Sequence, residues 1–549
     1  MHRLFSSYGR IVVIILALEI ALVTLVYGSV HGGDGLEEAA FESTVALSSG
    51  TSSCRYGVAA LGAHQVDWVD DFGAGWYLNF STSTVSAPNN AEFSPVITVK
   101  QDKTVDGEYL ASYSTVPLLT DNGLGIVIDA RPGALWIVGN EVDRGPDPGQ
   151  TIVNQGDTFP DIYARAYHDV YQYIKNRDPR AQVANSALVQ LSPGRLQYLD
   201  IMWNTYLDLF GTPMPVDVWN MHIYILPEVN QYGQPNSIAN VALGTDPALG
   251  RKESYDPDGD GPLEPKDTCQ LSDVYCYAEH DELIVFSEQV LAMRMWMRDH
   301  NQQNKPLILS EFSILYPYIN DPGGTCFLQD EYGNCFTDER VINFLNNTFN
   351  YLETTRDPDL GYDQDEDRLV QQWLWFSINH ARRVGYVSNL IDGDPMGLSA
   401  VGQAYQSYVE NQATSINLRS DAVSFPKVFT QLPGGSTTAS LSISVRNNGN
   451  VAPLSPFQVT FYEDEALSQP IGIATIQPPG VDNPGMIGCA RKEVTVEVLW
   501  EGLSTGLHRY WAEIDSEGWI NESDESDNIS SGYVIVNPEQ VFTPLSKKP

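Results

Sequence analysis

The chain has 549 residues, of which 42% are hydrophobic, 11% aromatic and 18% charged, enough apolar material for a large barrel together with a smaller domain, so global disorder is excluded. Its 31 basic residues stand against 70 acidic ones, a net charge of −39. That field repels phosphate backbones and anionic headgroups, so nucleic acid is not an expected partner.

Arg3 and Arg10 precede an apolar run, Ile11 to Tyr27, interrupted by Glu19 and Thr24. Its length suits either a cleaved signal or a retained membrane anchor, and Val26-Tyr27-Gly28 is a mediocre cleavage site. In both cases the basic flank stays inside and the remaining chain is exported, either secreted or held at the outer face of the cytoplasmic membrane. Membrane contact is expected through this segment alone (1–30). Residues 31–53 are rich in Gly, Ser, Thr and acidic side chains, the composition of a flexible linker.

Over 54–412 short apolar runs alternate with amphipathic stretches, which predicts parallel strands with crossover helices and an α/β fold, a (β/α)8 TIM barrel. The predicted strands are Gly57 to Leu61, Trp76 to Phe80, Ser94 to Val99, Leu135 to Glu141, Gln182 to Leu188, Val216 to Tyr224, Pro306 to Glu311 and Gln371 to Ile378. Between the fourth and fifth, Ile162, Ala166, Val170 and Ile174 recur every fourth residue after Pro160, the mark of a helix packed on a sheet.

A long insertion separates strands six and seven. It holds Asp256, Asp258 and Asp260 with Gly261, then Glu264 and Asp267, the oxygen-ligand spacing of a calcium loop. A structural calcium ion and a solvated turn are both compatible with it. No cofactor is expected for catalysis. Cys269 with Cys276, and Cys326 with Cys335, lie in Gly/Asp-rich loops and read as local disulfides in exported protein. Cys54 and Cys489 are either a long-range bridge or two lone thiols.

From 413 to 540 the pattern changes to alternation, with Leu441, Ile443 and Val445, then Phe457, Val459 and Phe461, then Val494, Val496 and Val498 on one face. This predicts an all-β immunoglobulin-like sandwich, with 541–549 as a tail. Its closing IDSEGWINESDESDN, with Glu522, Glu525 and Asn528, resembles the bacterial adhesion-related immunoglobulin-like (CARDB) domains. That resemblance implies spacing or attachment rather than catalysis.

In a barrel of this kind, catalytic side chains stand at the C-terminal ends of strands. Two glutamates close otherwise apolar strands: Glu141, preceded by Asn140 in LWIVGNE, and Glu311 in PLILSE. An Asn-Glu pair alone means little, since Asn521-Glu522 also occurs in the sandwich; the strand setting carries the signal. With GWYLNF, EFSPVITV, GNE, VDVWNMHIY and KPLILSEF, the barrel resembles the clan A retaining glycoside hydrolases, closest to the compact endo-β-1,3-glucanase-like family. It departs from that pattern at Val142, where proline is common, and in the long insertion.

The resemblance implies that Glu141 is the acid/base and Glu311 the nucleophile of a double displacement, with the carboxyl groups about 5 to 5.5 Å apart. It also implies that Tyr224 hydrogen-bonds the nucleophile, that His222 lines the subsite and that Asn140 holds a sugar hydroxyl. His222 and Tyr224 share one parity of their strand and so point to the same side; a satisfied core histidine is the alternative for His222. Trp373 and Trp375 also share a parity, and Trp375, nearer the barrel mouth, is a candidate for stacking on a sugar ring, with core packing as its alternative. Asn79 at the end of strand two is a further substrate-binding candidate. Taken together, the expectation is an exported retaining glycosidase acting on a polysaccharide. The rival is a noncatalytic carbohydrate-binding or adhesion protein on a barrel that has lost activity.

Overall fold

The computed structural model describes residues 52–87, 91–146, 155–229, 233–235, 239–252, 280–315, 318–319, 328–329, 334–381, 383–421, 427–429, 437–480 and 485–537. The apolar run Ile11 to Tyr27, the acidic loop Asp256 to Asp267, and Cys269, Cys276 and Cys326 lie outside these residues. Among the described residues no helix is long and apolar enough to cross a membrane.

Eight strands form the first half of the fold: β1 Ser53–Ala59, β2 Ala74–Leu78, β3 Val96–Lys103, β4 Leu135–Val138, β5 Gln182–Ala184, β6 Trp219–Ile223, β7 Leu307–Phe312 and β8 Gln372–Trp375. Parallel pairing runs β2-β1-β8-β7-β6 and β3-β4-β5. A parallel bridge between Ala184 and Val218 joins β5 to β6. Glu92–Phe93 pairs with β2 and leads straight into β3, with Ser94 N donating to Tyr77 O at 2.9 Å, which closes the ring.

Helices α1 Pro160–Arg177, α2 Pro193–Phe210, α3 Leu283–Asp299, α4 Asp338–Thr354 and α5 Ala400–Glu410 follow β4 to β8 in turn. Proline opens α1 and α2, where a missing N–H costs nothing. Thr337 and Ser399 cap α4 and α5 through their hydroxyls. Gly211, at φ +69°, ends α2 in the left-handed conformation. In α1 the expected stripe Ile162, Ala166, Val170 and Ile174 is buried.

Both faces of the strands are apolar, as a covered parallel sheet requires. One set, including Tyr56, Val58, Tyr77, Trp136, Trp219, Met221, Leu309, Trp373 and Trp375, packs beneath the helices. The alternate set, including Ala59, Trp76, Leu78, Ile137, Ala184, Ile308 and Leu374, fills the lumen. Gly57 makes room there: a Cβ would lie 2.6 Å from the Trp76 indole.

The second half is a sandwich of β9 Leu418–Arg419, β10 Lys427–Phe429, β11 Thr437–Asn447, β12 Phe457–Tyr462, β13 Pro470–Ile476, β14 Val494–Leu503, β15 Gly506–Ile514 and β16 Ile529–Val536. Its sheets run β9-β11-β14 and β10-β16-β15-β12-β13. Leu441, Ile443, Val445, Phe457, Val459, Phe461, Val496 and Val498 meet in its core. The sandwich docks at the N-terminal ends of the barrel strands. There Cys54 is disulfide-bonded to Cys489, resolving the open choice for that pair, Arg491 Nη2 reaches Glu92 at 2.5 Å and Lys492 Nζ donates to Gly133 O at 3.1 Å. Cys335 is also disulfide-bonded.

Candidate active site

The opposite end of the barrel gathers Glu141, His222, Tyr224 and Glu311. On β6, Trp219, Met221 and Ile223 face the helices, so the alternation turns Asn220, His222 and then Tyr224 inward. On β7 the pairing slips, with Met221 opposite Leu309 and His222 opposite Glu311. Leu309 and Phe312 both face the helices, so this bulge directs the two residues between them, Ser310 and Glu311, to the lumen side. Glu141 stands three residues past β4 in a left-handed conformation, φ +44°, and its N–H donates to Ala187 O at 3.0 Å.

The side chains form one network. Tyr224 donates its hydroxyl to Glu311 Oε1 at 2.6 Å. His222 Nδ1 faces Glu141 Oε1 at 3.3 Å and Glu311 Oε2 at 3.8 Å, while Nε2 lies 3.0 Å from Ser310 Oγ. A carboxylate oxygen from each glutamate and a ring nitrogen of His222 all lie within 4.8 Å of one another. Glu141 and Glu311 are 6% and 5% exposed.

Burial pushes Glu311 up to about 7, and the neighbouring charge of Glu141 adds to this, while His222 and the Tyr224 hydroxyl oppose it. For His222, burial acts downward, but the facing carboxylates of Glu311 and Glu141 outweigh it and its pKa is raised. Burial, then the negative charge of Glu311, keep Tyr224 protonated by raising its pKa well above the ordinary value. Chemically the site offers two close carboxyl groups, an imidazole that can carry positive charge between them and a phenol fixed as a donor. Glu141, His222 and Glu311 could also ligate a divalent cation, although Tyr224 already occupies one oxygen of Glu311.

Other expected residues are placed differently. Asn140 is half-buried beside Glu141, with its carbonyl accepting from Gly156 N at 2.9 Å. Asn79 ties its own turn, donating to Ser83 O at 2.8 Å and accepting from Ser81 N at 3.0 Å. Trp375 does not line the mouth: it is fully buried beneath the helices against Phe312, Phe344 and Phe349, and its indole N–H donates to Ser388 O at 2.8 Å. The expectation of a sugar platform there is corrected to core packing. From this strand it is the next residue, Phe376, that puts an aromatic ring on the lumen side, 7% exposed and flanked by Phe80 and His380 at 6.0 and 5.5 Å between ring centres. Because both faces of β8 are apolar, no signal in the sequence distinguishes the two parities. The five acidic calcium-loop candidates, Asp256, Asp258, Asp260, Glu264 and Asp267, lie outside the described residues.

Among curated proteins none matches the chain. Residues 428–532, within the sandwich, match the CARDB family. A solved CARDB domain from Pyrococcus furiosus in complex with di-metal ions is 19% identical, covering 23% of this chain and 97% of its own, with a TM-score of 0.18. The chain is also similar to a GH128 (subgroup III) curdlan-specific exo-β-1,3-glucanase from Blastomyces gilchristii. That protein is 14% identical, with 65% of this chain and 99% of that one covered and a TM-score of 0.36. A glucosidase from Croceicoccus marinus is 10% identical over 82% of this chain and 96% of its own, with a TM-score of 0.37.

Proposed function

We propose that the chain is an exported retaining glycoside hydrolase that cleaves β-glycosidic bonds of a polysaccharide by double displacement. The observation that carries this reading is the carboxylate pair: Glu141 and Glu311 present oxygens within 4.8 Å of each other at the C-terminal end of the barrel. Retention requires carboxyl groups about 5 to 5.5 Å apart, whereas inversion needs about 6.5 to 9.5 Å to admit a water between the general base and the anomeric carbon.

In this reading Glu311 attacks the anomeric carbon as the carboxylate. Tyr224 and His222 favour its ionised form, and burial makes that form reactive by withholding water. Glu141 gives its proton to the departing oxygen, then takes one from the water that hydrolyses the glycosyl-enzyme. Asn140 is assigned a sugar hydroxyl beside the anomeric centre, and the Phe376 ring is the candidate stacking surface. The test is a screen of the purified protein on β-1,3-, β-1,4- and mixed-linkage glucans, mannans and galactans, with Glu311→Gln as the control. Cleavage abolished in the control supports the hydrolase. Binding without cleavage by the unaltered chain puts the adhesion reading in its place.

A further inference from the structure

Beside the mouth lies a second charged cluster that the double displacement does not use. Arg195, in the first turn of α2, is fully buried. Its Nε donates to Asp143 Oδ2 at 2.6 Å, its Nη2 to Ala239 O at 3.0 Å and its Nη1 to Asn240 O at 3.3 Å, and Nη1 also pairs with Glu228 Oε1. Glu228 in turn accepts from Ser192 Oγ at 2.9 Å and from Arg251 N at 3.1 Å. One guanidinium therefore ties together the connections after β4, β5 and β6.

The connection after β4 is the one that carries Glu141, two residues before Asp143. A glutamate at φ +44° is a costly conformation that persists only where its surroundings hold it. It is held by Ala187 O on the Glu141 N–H, by Leu243 N on the Asp143 carbonyl at 2.9 Å, and by Arg195 on the Asp143 carboxylate. The charged groups around Glu141 are His222 and Glu311 from β6 and β7, Asp143 from its own connection and Arg195 from α2.

We propose that Arg195 is a positioning residue for the acid/base carboxylate: by anchoring Asp143 it fixes the connection that presents Glu141 and balances the buried negative charge beside it. This rests on the assignment of Glu141 as acid/base. Two variants test it. Arg195→Lys keeps the charge but cannot reach both carboxylates and both carbonyls. The triple variant R195M/D143N/E228Q removes the three charges together, so that no carboxylate is left buried without a partner.

In each variant, kcat/KM for an unactivated glycan should fall about 100-fold or more, while kcat/KM for an aryl glycoside, which reports only the formation of the glycosyl-enzyme from a leaving group that needs no protonation, should fall less than about threefold. Equal losses on the two substrates would mean a merely structural role and overturn the proposal. A second readout needs no turnover: in crystal structures of the two variants the backbone at Glu141 should leave its left-handed conformation and its carboxylate should move away from His222. Glu141 unmoved in both variants overturns the proposal whatever happens to activity. If the unaltered protein cleaves no glycoside, the hydrolase reading fails, and the structures still decide whether Arg195 positions Glu141.

Discussion

The two ends of the barrel each bury a cluster of charged side chains, balanced in opposite ways. At the N-terminal end, Asp365 receives a two-pronged grip from Arg55 at 2.9 and 2.8 Å and lies 3.3 Å from Arg368 Nε; Glu353 lies 3.4 Å from Arg368 and 3.9 Å from Arg55. Two acids meet two arginines, and Gln371 and Tyr56 fill remaining hydrogen-bonding positions. At the C-terminal end two glutamates face one imidazole, and Glu311 rises to about 7 as burial and its neighbour's charge outweigh the stabilising donors. Neutralised charge holds the chain together at one end; charge left unbalanced at the other makes Glu311 a carboxyl group able to exchange protons near neutral pH.

Breaking the reactive end should have the largest effect. Glu311→Ala should lower glycan hydrolysis by roughly four powers of ten or more, measured as kcat/KM, with the fold retained. Breaking the balanced end should act on stability instead: Asp365→Ala leaves buried Arg55 and Arg368 to share Glu353 alone and should cost about 3–5 kcal/mol in urea unfolding, with activity per folded molecule unchanged. The contrast sharpens with Glu311→Gln, which keeps an acceptor for Tyr224. The folded carboxyl titrates at about 7 against an ordinary 4.5, so its ionisation cost is absent below about pH 4.5 and complete above about pH 7. The variant should therefore be more stable than the unaltered protein by about 1–3 kcal/mol at pH 8 and equal to it at pH 4. The smallest effect is expected from Tyr224→Phe, which removes a donor to the carboxylate. It should push Glu311 further up and move the acidic limb of kcat/KM to higher pH by about 0.5 to 1 unit.

What could be read before the structure follows from the same physics. The eight strands stood out because strands covered on both faces are continuous apolar runs, and Glu141 and Glu311 stood out because each interrupts such a run. His222 and Tyr224 were placed on one side by parity, since β6 alternates polar with apolar residues. The sequence leaves Trp375 open between sugar stacking and core packing, because β8 carries apolar residues on both faces and nothing marks which parity faces the lumen; the structure places it in the core. The bulge that turns Ser310 and Glu311 inward together has no residue signature in SEF. Arg195, Asp143 and Glu228 come from three separate connections, and no spacing rule joins them. Cys54 and Cys489 could be counted as a candidate pair, but only the docking of the sandwich brings them together.

The central claim is that the two glutamates hold different offices, and azide rescue tests it most directly. With Glu311→Ala, azide should restore turnover of an activated β-glycoside and yield an α-glycosyl azide, because azide takes the place of the missing nucleophile. With Glu141→Ala, azide should yield the β-glycosyl azide, because it attacks the covalent intermediate on Glu311 without a general base. The same product configuration from both variants, or turnover unchanged in both without azide, would contradict the account.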